Sequence, residues 1–449
     1  MLTPKADIER AWKQPLTRRM LCAGLAGSGI AALAACRLQT TPPAQAPAQE
    51  DARPGRVSFM YSANPETSGF KEIIEAFQAK YPKITYEDLY TTQDYDNKLI
   101  ASFASGTPPD VFRLNDDYIL GYKTRGVLAA LDQYIKRSGL KREDFYPQVW
   151  DFPVYDGKHY AWFLGANPRL IFYNVDLFKA LGLPLPPTKW ETNEWTWEDF
   201  VEVAKRLTVP GERWGGLLNA DTGCEQTFSI NYGSPIGIYS KDGKKFTLAD
   251  PPGYEAMQWL ADLSHIYRVQ PSPNERQGTS VANLWYQQKL AMVFTSSSSI
   301  KAYRQNAQFT WDVTSVPKKV KRDMEASIQT YALAEGAKNP DEGWLLLRFF
   351  TEDEAARIFI ATGYVIPAAK KYAKDYVTYN AGQPPQNIQL FIEAFNFQTQ
   401  PNQTLDTQGA RRIYRTDRGI NGVWKGLRTA KEALTEVRPE VEATIAQLK

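Results

Sequence analysis

Ala104-Ser105-Gly106-Thr107-Pro108-Pro109-Asp110-Val111-Phe112 joins a helix to a strand in nine residues. Upstream, Tyr95, Leu99, Ile100 and Phe103 recur at helical spacing and predict a helix that ends at Gly106. Pro108-Pro109 then bars any continuation of that helix, and Val111-Phe112-Arg113-Leu114 reads as a short, largely apolar strand. Further upstream the pattern repeats. Val57 to Tyr61 is a strand; Phe70, Ile73, Ile74 and Phe77 fall at i, i+3, i+4, i+7 and make one helix face; Tyr81-Pro82 stops it; Ile84 to Tyr90 is a second strand. Strand, helix, strand, helix, strand predicts a parallel α/β sheet. Downstream, Thr196 with Asp199 reads as a capping box ahead of Phe200, Val203, Ala204 and Leu207, and Thr351 with Glu354 as another ahead of Ile358 and Phe359. Asn339-Pro340 places a cap and a first-turn proline before Trp344, Leu347 and Phe350, and Val437, Val441, Ile445 and Leu448 mark a last helix. No fixed internal period is visible, which argues against a solenoid or propeller.

The chain has 449 residues, 43% of them apolar, enough for a large core or two lobes. The formal charge is 53 − 50 = +3, without the basic excess of a dedicated nucleic-acid binder. Two histidines, His159 and His265, exclude a His-rich metal or catalytic centre. No metal site and no cofactor is expected. The 12 Trp, 24 Tyr and 21 Phe would either pack a core or build a ring-lined binding surface.

The first 35 residues read as an export signal. Arg18-Arg19 precede fifteen uncharged residues, Leu21 to Ala35, too short for a comfortable membrane span of about 20. Leu33-Ala34-Ala35-Cys36 resembles the lipobox of bacterial lipoproteins, which implies acylation at Cys36, and the paired arginines resemble a twin-arginine signal. Gly27 to Ala32 matches a loose dinucleotide pattern, but with no strand before it. Residues 1–35 carry five basic and two acidic side chains, so the remainder is neutral, 48 − 48 = 0. Beyond the anchor Cys36, only Cys224 remains, which excludes an intramolecular disulfide and reads as a small buried apolar residue. Residues 36–55, rich in Pro and Ala, read as a lipid-anchored tether too poor in apolar residues to fold. The localisation expected is outside the cytoplasmic membrane and anchored to its outer face.

At this point several segments carry a resemblance in order. Ser105 to Phe112, Tyr173 to Leu183 (YNVDLFKALGL), Trp195 to Phe200 (WTWEDF), Lys289 to Val293 (KLAMV), Trp311 to Pro317, Ala337 to Trp344 (AKNPDEGW) and Gly363 to Pro367 together resemble family-1 extracellular solute-binding proteins, the receptors of ABC importers for sugars and related solutes. The resemblance spans about residues 57–449; the pocket segments match no one subfamily. It implies a two-lobed, periplasmic-binding-protein-like α/β fold with a hinged interlobe cleft. On that reading the first lobe holds 56–164 and 297–350, and the second holds 165–296 and 351–449. The chain would cross near Gly165–Pro168 and near Thr295–Ser298, both short stretches between apolar strands. The resemblance also implies a monomeric, non-enzymatic receptor that delivers a sugar to a membrane permease.

A sugar needs rings against its C–H faces and amides or carboxylates for its hydroxyls. Candidates near predicted strand ends are Tyr61, Ser62 and Asn64; Asn115, Asp116 and Tyr118; Phe163, Asn167 and Arg169; Asn231 and Tyr232; and Ser296, Ser297 and Ser298. Core duty competes for the rings, and capping or turn duty for the short polar residues. Asp116 is preferred over Asp117 for the cleft, because in the resemblance the second or third residue beyond the strand faces it. Asp110 is expected to be structural, bonding backbone at the turn. A glycerophosphodiester, peptide or polyamine ligand is the alternative: phosphate would call on Arg411, Arg412 and Arg415, a polyamine on several cleft carboxylates. Enzyme motifs are missing, with no phosphate loop, GxSxG elbow, HExxH or CxxC, although a glycosidase carboxylate pair could hide among the 50 acidic residues.

Overall fold

The computed structural model describes residues 54–219, 223–399 and 407–447. The export signal, Cys36, nearly all of the tether and Leu448 lie outside the described residues.

The predicted parallel sheet is present. Strand Gly55–Tyr61 pairs in parallel with Ile84–Tyr90, Gly55 opposite Ile84, and with Val111–Leu114, Phe59 opposite Val111. Helix Phe70–Lys80 covers it and buries Phe70, Ile73, Ile74 and Phe77, as the spacing requires. The ring of Phe59 meets those of Phe70, Tyr331 and Phe350 at 5.5–5.6 Å, and each such pair adds about 0.5–1.5 kcal/mol beyond simple burial. Helix Tyr95–Ala104 buries a narrower stripe than predicted: Tyr95 and Leu99 are inside, while Ile100 is 51% exposed. The Tyr95 hydroxyl lies within donating distance of the Arg113 and Met60 carbonyls, at 2.7 and 3.2 Å, and so ties the helix start to two strands of the sheet.

Asp110 plays the structural part expected of it. Its carboxylate is 3% exposed and accepts from the Ser58 N–H and hydroxyl (3.0 and 2.9 Å) and from the Asn339 N–H and side-chain amide (2.9 and 3.2 Å). One side chain thus ties strand Gly55–Tyr61 to the start of helix Pro340–Phe349. Asn339 occupies the cap position without a side-chain cap bond, and its side-chain amide donates to Asp110.

Two long strands connect the lobes. The first crossing strand, Trp162–Asn174, pairs antiparallel with the second, Met324–Leu333, from Trp162 opposite Tyr331 to Pro168 opposite Ala326. From Arg169 onward it changes partners, pairing with Met292–Ser296 and, from Ile171, with Trp311–Thr314. The second crossing strand in turn pairs with Val111–Leu114 of the first lobe. The expected irregular stretch Gly165–Pro168 is therefore the middle of one continuous strand. Gly165 is required there: a Cβ would sit 1.9 Å from the Ile366 carbonyl oxygen, in the short strand Ile366–Pro367 that pairs at Ala166 and Gly165.

Three details depart from the expected layout. Trp311–Thr314, assigned to the first lobe, pairs beside Met292–Ser296 on the second-lobe half of the crossing strand. The chain returns along Met324–Leu333 rather than at Thr295–Ser298, where Ser297–Ser299 forms a 3₁₀ turn into helix Ile300–Asn306. Helix Asp353–Thr362, assigned to the second lobe, packs on the first: Phe359 meets Phe70, and a Cβ on Gly69 would reach Ile358 at 2.5 Å. The C-terminal helix Ala430–Ala446 does pack on the second lobe, against Pro251–His265.

Of the two capping boxes, Thr196/Asp199 forms, each side chain accepting from the other's backbone N–H. Thr351/Glu354 does not. Thr351 lies in the turn that closes helix Pro340–Phe349, where its hydroxyl donates back to the Arg348 carbonyl, and Glu352 takes the cap position.

Candidate functional site

Where the crossing strands leave the first lobe, ionisable side chains gather, from nearly fully buried Glu225 to partly exposed Arg411. Arg169, the first residue past the partner switch, forms an ion pair with Glu325 on the facing strand, their side chains 11% and 10% exposed. Helix Gly223–Tyr232 begins against this pair: a Cβ on Gly223 would lie 2.5 Å from a Glu325 oxygen and 2.7 Å from the Arg169 Nε. That helix is buried on every side except Tyr232, and it carries Glu225, 1% exposed, inward. Both oxygens of Glu225 accept from the Arg415 guanidinium at 2.6 Å, and one from the Tyr414 hydroxyl at 3.3 Å.

The first lobe contributes the turn after Val111–Leu114. Asp116 accepts the backbone N–H of Ile328, on the second crossing strand, at 2.7 Å. Asp117 pairs with Arg411 at 2.6 Å, a contact between the first lobe and the helix Thr407–Tyr414 packed on the second. Burial pushes the Asp116 carboxyl up to about 6, with the Glu325 charge adding to the rise and Arg169 and Arg113 opposing it. Burial also lifts Asp117 to about 6, against the pull of Arg411 and with a push from Asp116. Arg113, largely buried, lies within electrostatic reach of Asp116. The half-buried rings of Tyr118 and Tyr155 flank the cluster: Tyr118 acts on Arg411, and the Tyr155 hydroxyl is raised by burial and by the Asp116 charge. Four carboxylates and four guanidiniums thus converge from both lobes, a set of preoriented acceptors and donors beside partly open rings.

The candidate residues divide sharply. Asp116 and Arg169 enter this cluster, with Asn115 and Tyr118 beside them. Asn167, 6% exposed, accepts from the Ser297 hydroxyl at 3.2 Å, a bond that ties the first crossing strand to the 3₁₀ turn. Ser296 and Ser298 share a hydroxyl bond of 2.6 Å, and Ser296 lies opposite Arg169 in the sheet. Other candidates are structural. Tyr61, 2% exposed, stacks on Phe59 at 4.6 Å, because its ring is on the core side of the strand. Phe163, fully buried, stacks on Trp162 at 4.5 Å. Asn64 caps the short helix Pro65–Ser68 by accepting the Glu66 and Thr67 N–H groups, and Ser62 sits half-exposed before it. Asn231 donates to the Thr227 and Asp323 carbonyls, as a buried loop clamp. Tyr232, at the far end of the helix from Gly223, lines a separate surface hollow of 420 Å³ with Trp197, Trp259 and Lys319. Four contributors were not singled out: Arg113, Asp117 (set aside in favour of Asp116), Glu225 and Glu325. Of these, only Arg113 carries a sequence signal, a charge inside the apolar run Val111-Phe112-Arg113-Leu114.

Among the described residues no group of three or more His, Cys, Asp or Glu is placed to hold a metal ion. Two α/β lobes joined by strands, with polar groups converging at the junction, define a hinged ligand receptor. The chain belongs to the family of bacterial extracellular solute-binding proteins, whose pattern matches residues 63–357. A binding protein of Brucella abortus (strain 2308) is 26% identical over 324 residues, 70% of this chain and 75% of its own. The maltotriose-binding protein of Pyrococcus abyssi is 21% identical over 358 residues, 75% of this chain and 73% of its own. The ABC substrate-binding protein Lmo0181 of Listeria monocytogenes, solved in complex with cycloalternan, superposes with a TM-score of 0.77 at 23% identity, covering 87% of this chain and 99% of that one.

Proposed function

We propose that this receptor binds a carbohydrate, an oligosaccharide in preference to a free monosaccharide, between its lobes and hands it to the permease of an ABC importer. The observation that carries this reading is the interlobe constellation of Asp116, Arg169 and Glu325 beside the half-buried rings of Tyr118 and Tyr155. Carboxylate–guanidinium pairs offer acceptors and donors together, which suits vicinal hydroxyls. The equal number of acids and guanidiniums argues against a polyamine, and the carboxylates argue against a phosphodiester. The relatives named for maltotriose and bound to cycloalternan support an α-glucan-type ligand.

In this proposal Asp116, Asn115 and Tyr118 act from the first lobe. Arg169, Ser296, Ser298, Glu325 and Glu225 act from the second. The lobes follow strand pairing, with the boundary on the crossing strands between Pro168 and Arg169 and near Ala326. Cys36 carries the lipid, and Arg18-Arg19 direct export of the folded chain. The receptor works as a monomer and catalyses nothing.

Calorimetric titration with maltose, maltotriose and a cyclic glucan tests the ligand. A saturable heat for one of them, lost in Arg169→Ala, is the expected result. Binding to glycerophosphodiesters or polyamines, with none to the saccharides, overturns the reading. For the anchor, Cys36→Ala is expected to release the protein from membranes.

A further inference from the structure

The ion pair Asp117–Arg411 joins the two lobes through groups that belong to neither crossing strand. Asp117 sits in the 3₁₀ turn Asp116–Tyr118, which follows the first-lobe strand Val111–Leu114. Arg411 sits on helix Thr407–Tyr414, which packs on the last helix, Ala430–Ala446, and so belongs to the second lobe. The Arg411 Nη2 donates to the Asp117 carboxylate at 2.6 Å, and the two side chains are 40% and 15% exposed. Tyr118 from the first lobe and Tyr239 and Tyr414 from the second lie within electrostatic reach of the pair. By contrast, Lys80–Glu352 stays within the first lobe, and Arg415–Glu225 and Arg438–Asp250 stay within the second.

Each partner is held firmly to its own lobe. The Asp117 backbone N–H donates to the Asp116 carboxylate at 3.1 Å, and that carboxylate also accepts the Ile328 N–H at 2.7 Å, on the first-lobe half of the second crossing strand. One turn beyond Arg411, Tyr414 and Arg415 both bond Glu225, on the buried helix Gly223–Tyr232. An ion pair between two loose side chains contributes little, because holding both in place offsets their attraction. Here the mounts are fixed by other bonds, so what makes or breaks the pair is the separation of the lobes. Opening by a few ångströms admits water between the charges and removes most of the attraction.

We propose that Asp117 and Arg411 form a latch: the pair favours the closed arrangement of the lobes even before ligand arrives, and so raises affinity without touching the ligand. The effect on affinity rests on the cleft being the binding site, but not on the ligand being a sugar.

Small-angle scattering of the ligand-free exported chain, at pH 8 where Asp117 is ionised, tests the latch without any ligand. Asp117→Asn, Arg411→Gln and the double variant are compared with wild type. Each single variant is expected to enlarge the radius of gyration, and the double variant to match the singles, because either change breaks the same pair. Calorimetric titration with maltotriose is the second arm. Each single variant should bind about three- to tenfold more weakly, since a smaller closed population lowers the apparent affinity, and the double variant no more weakly than the singles. Asparagine and glutamine nearly preserve side-chain size, and two independent singles keep the test readable where one folds poorly. A radius of gyration unchanged in both singles overturns the latch. So do losses of affinity that add in the double variant, which would mean that each side chain meets the ligand on its own. If no saccharide binds wild type, the sugar reading fails, and the scattering still decides the latch.

Discussion

Replacing Asp116 by Asn is expected to stabilise the protein while weakening its hold on the ligand. The carboxyl titrates at about 6 in the folded chain against an ordinary value of 3.8, chiefly because it is buried and faces Glu325. A pKa raised by folding contributes stability that is fully present below the unfolded value and is lost as pH rises through the folded one. Wild type therefore loses stability from about pH 4 to above pH 6 on account of this group, by at most about 3 kcal/mol for a shift of this size. Asparagine never charges, and its side-chain oxygen can still accept the Ile328 N–H that the carboxylate accepts at 2.7 Å. Urea unfolding of both proteins near pH 4 and above pH 7 measures the difference. The two should agree near pH 4 and diverge above pH 7, with the variant the more stable. Ligand affinity should fall about tenfold, as a charge-assisted bond to a hydroxyl becomes a neutral one. A variant less stable than wild type at neutral pH, or a stability difference that does not change with pH, would refute the burial argument. Unchanged affinity would remove Asp116 from the site.

Asp110→Ala is expected to cost about 3–5 kcal/mol in urea unfolding, because the Ser58 and Asn339 backbone N–H groups lose a buried charged acceptor; a loss below about 1 kcal/mol would refute its structural role. Tyr232→Ala should leave ligand affinity within about twofold, since the side chain lines a hollow away from the crossing strands. Thr196→Ala should destabilise by about 1 kcal/mol through loss of the capping box, with affinity unchanged. Reductant should not change the melting temperature of the monomer, because Cys224, the free cysteine among the described residues, is buried.

The sequence by itself determined the elements that depend on neighbours within a few residues. Gly106 with Pro108-Pro109, the i, i+3, i+4, i+7 face of Phe70 to Phe77, and the box Thr196/Asp199 each act through local backbone geometry, so they read correctly from the string. The box Thr351/Glu354 misread because so short a pattern does not reveal that the Thr351 hydroxyl is spent on the Arg348 carbonyl, in the turn that closes the helix before it. The parallel order of the first three strands followed from their alternation with helices. Tertiary structure decided the rest. A strand of 13 residues that changes partners midway looks in sequence like two strands with a loop, because the switch is made by what lies beside it. Which rings meet the core was equally a matter of side: Tyr61 and Phe163 sit near strand ends as expected, yet face inward, while Tyr118 and Tyr155 remain partly open. Glu225 and Glu325 are separated by a hundred residues in the chain, and only folding sets each beside an arginine that makes its burial tolerable.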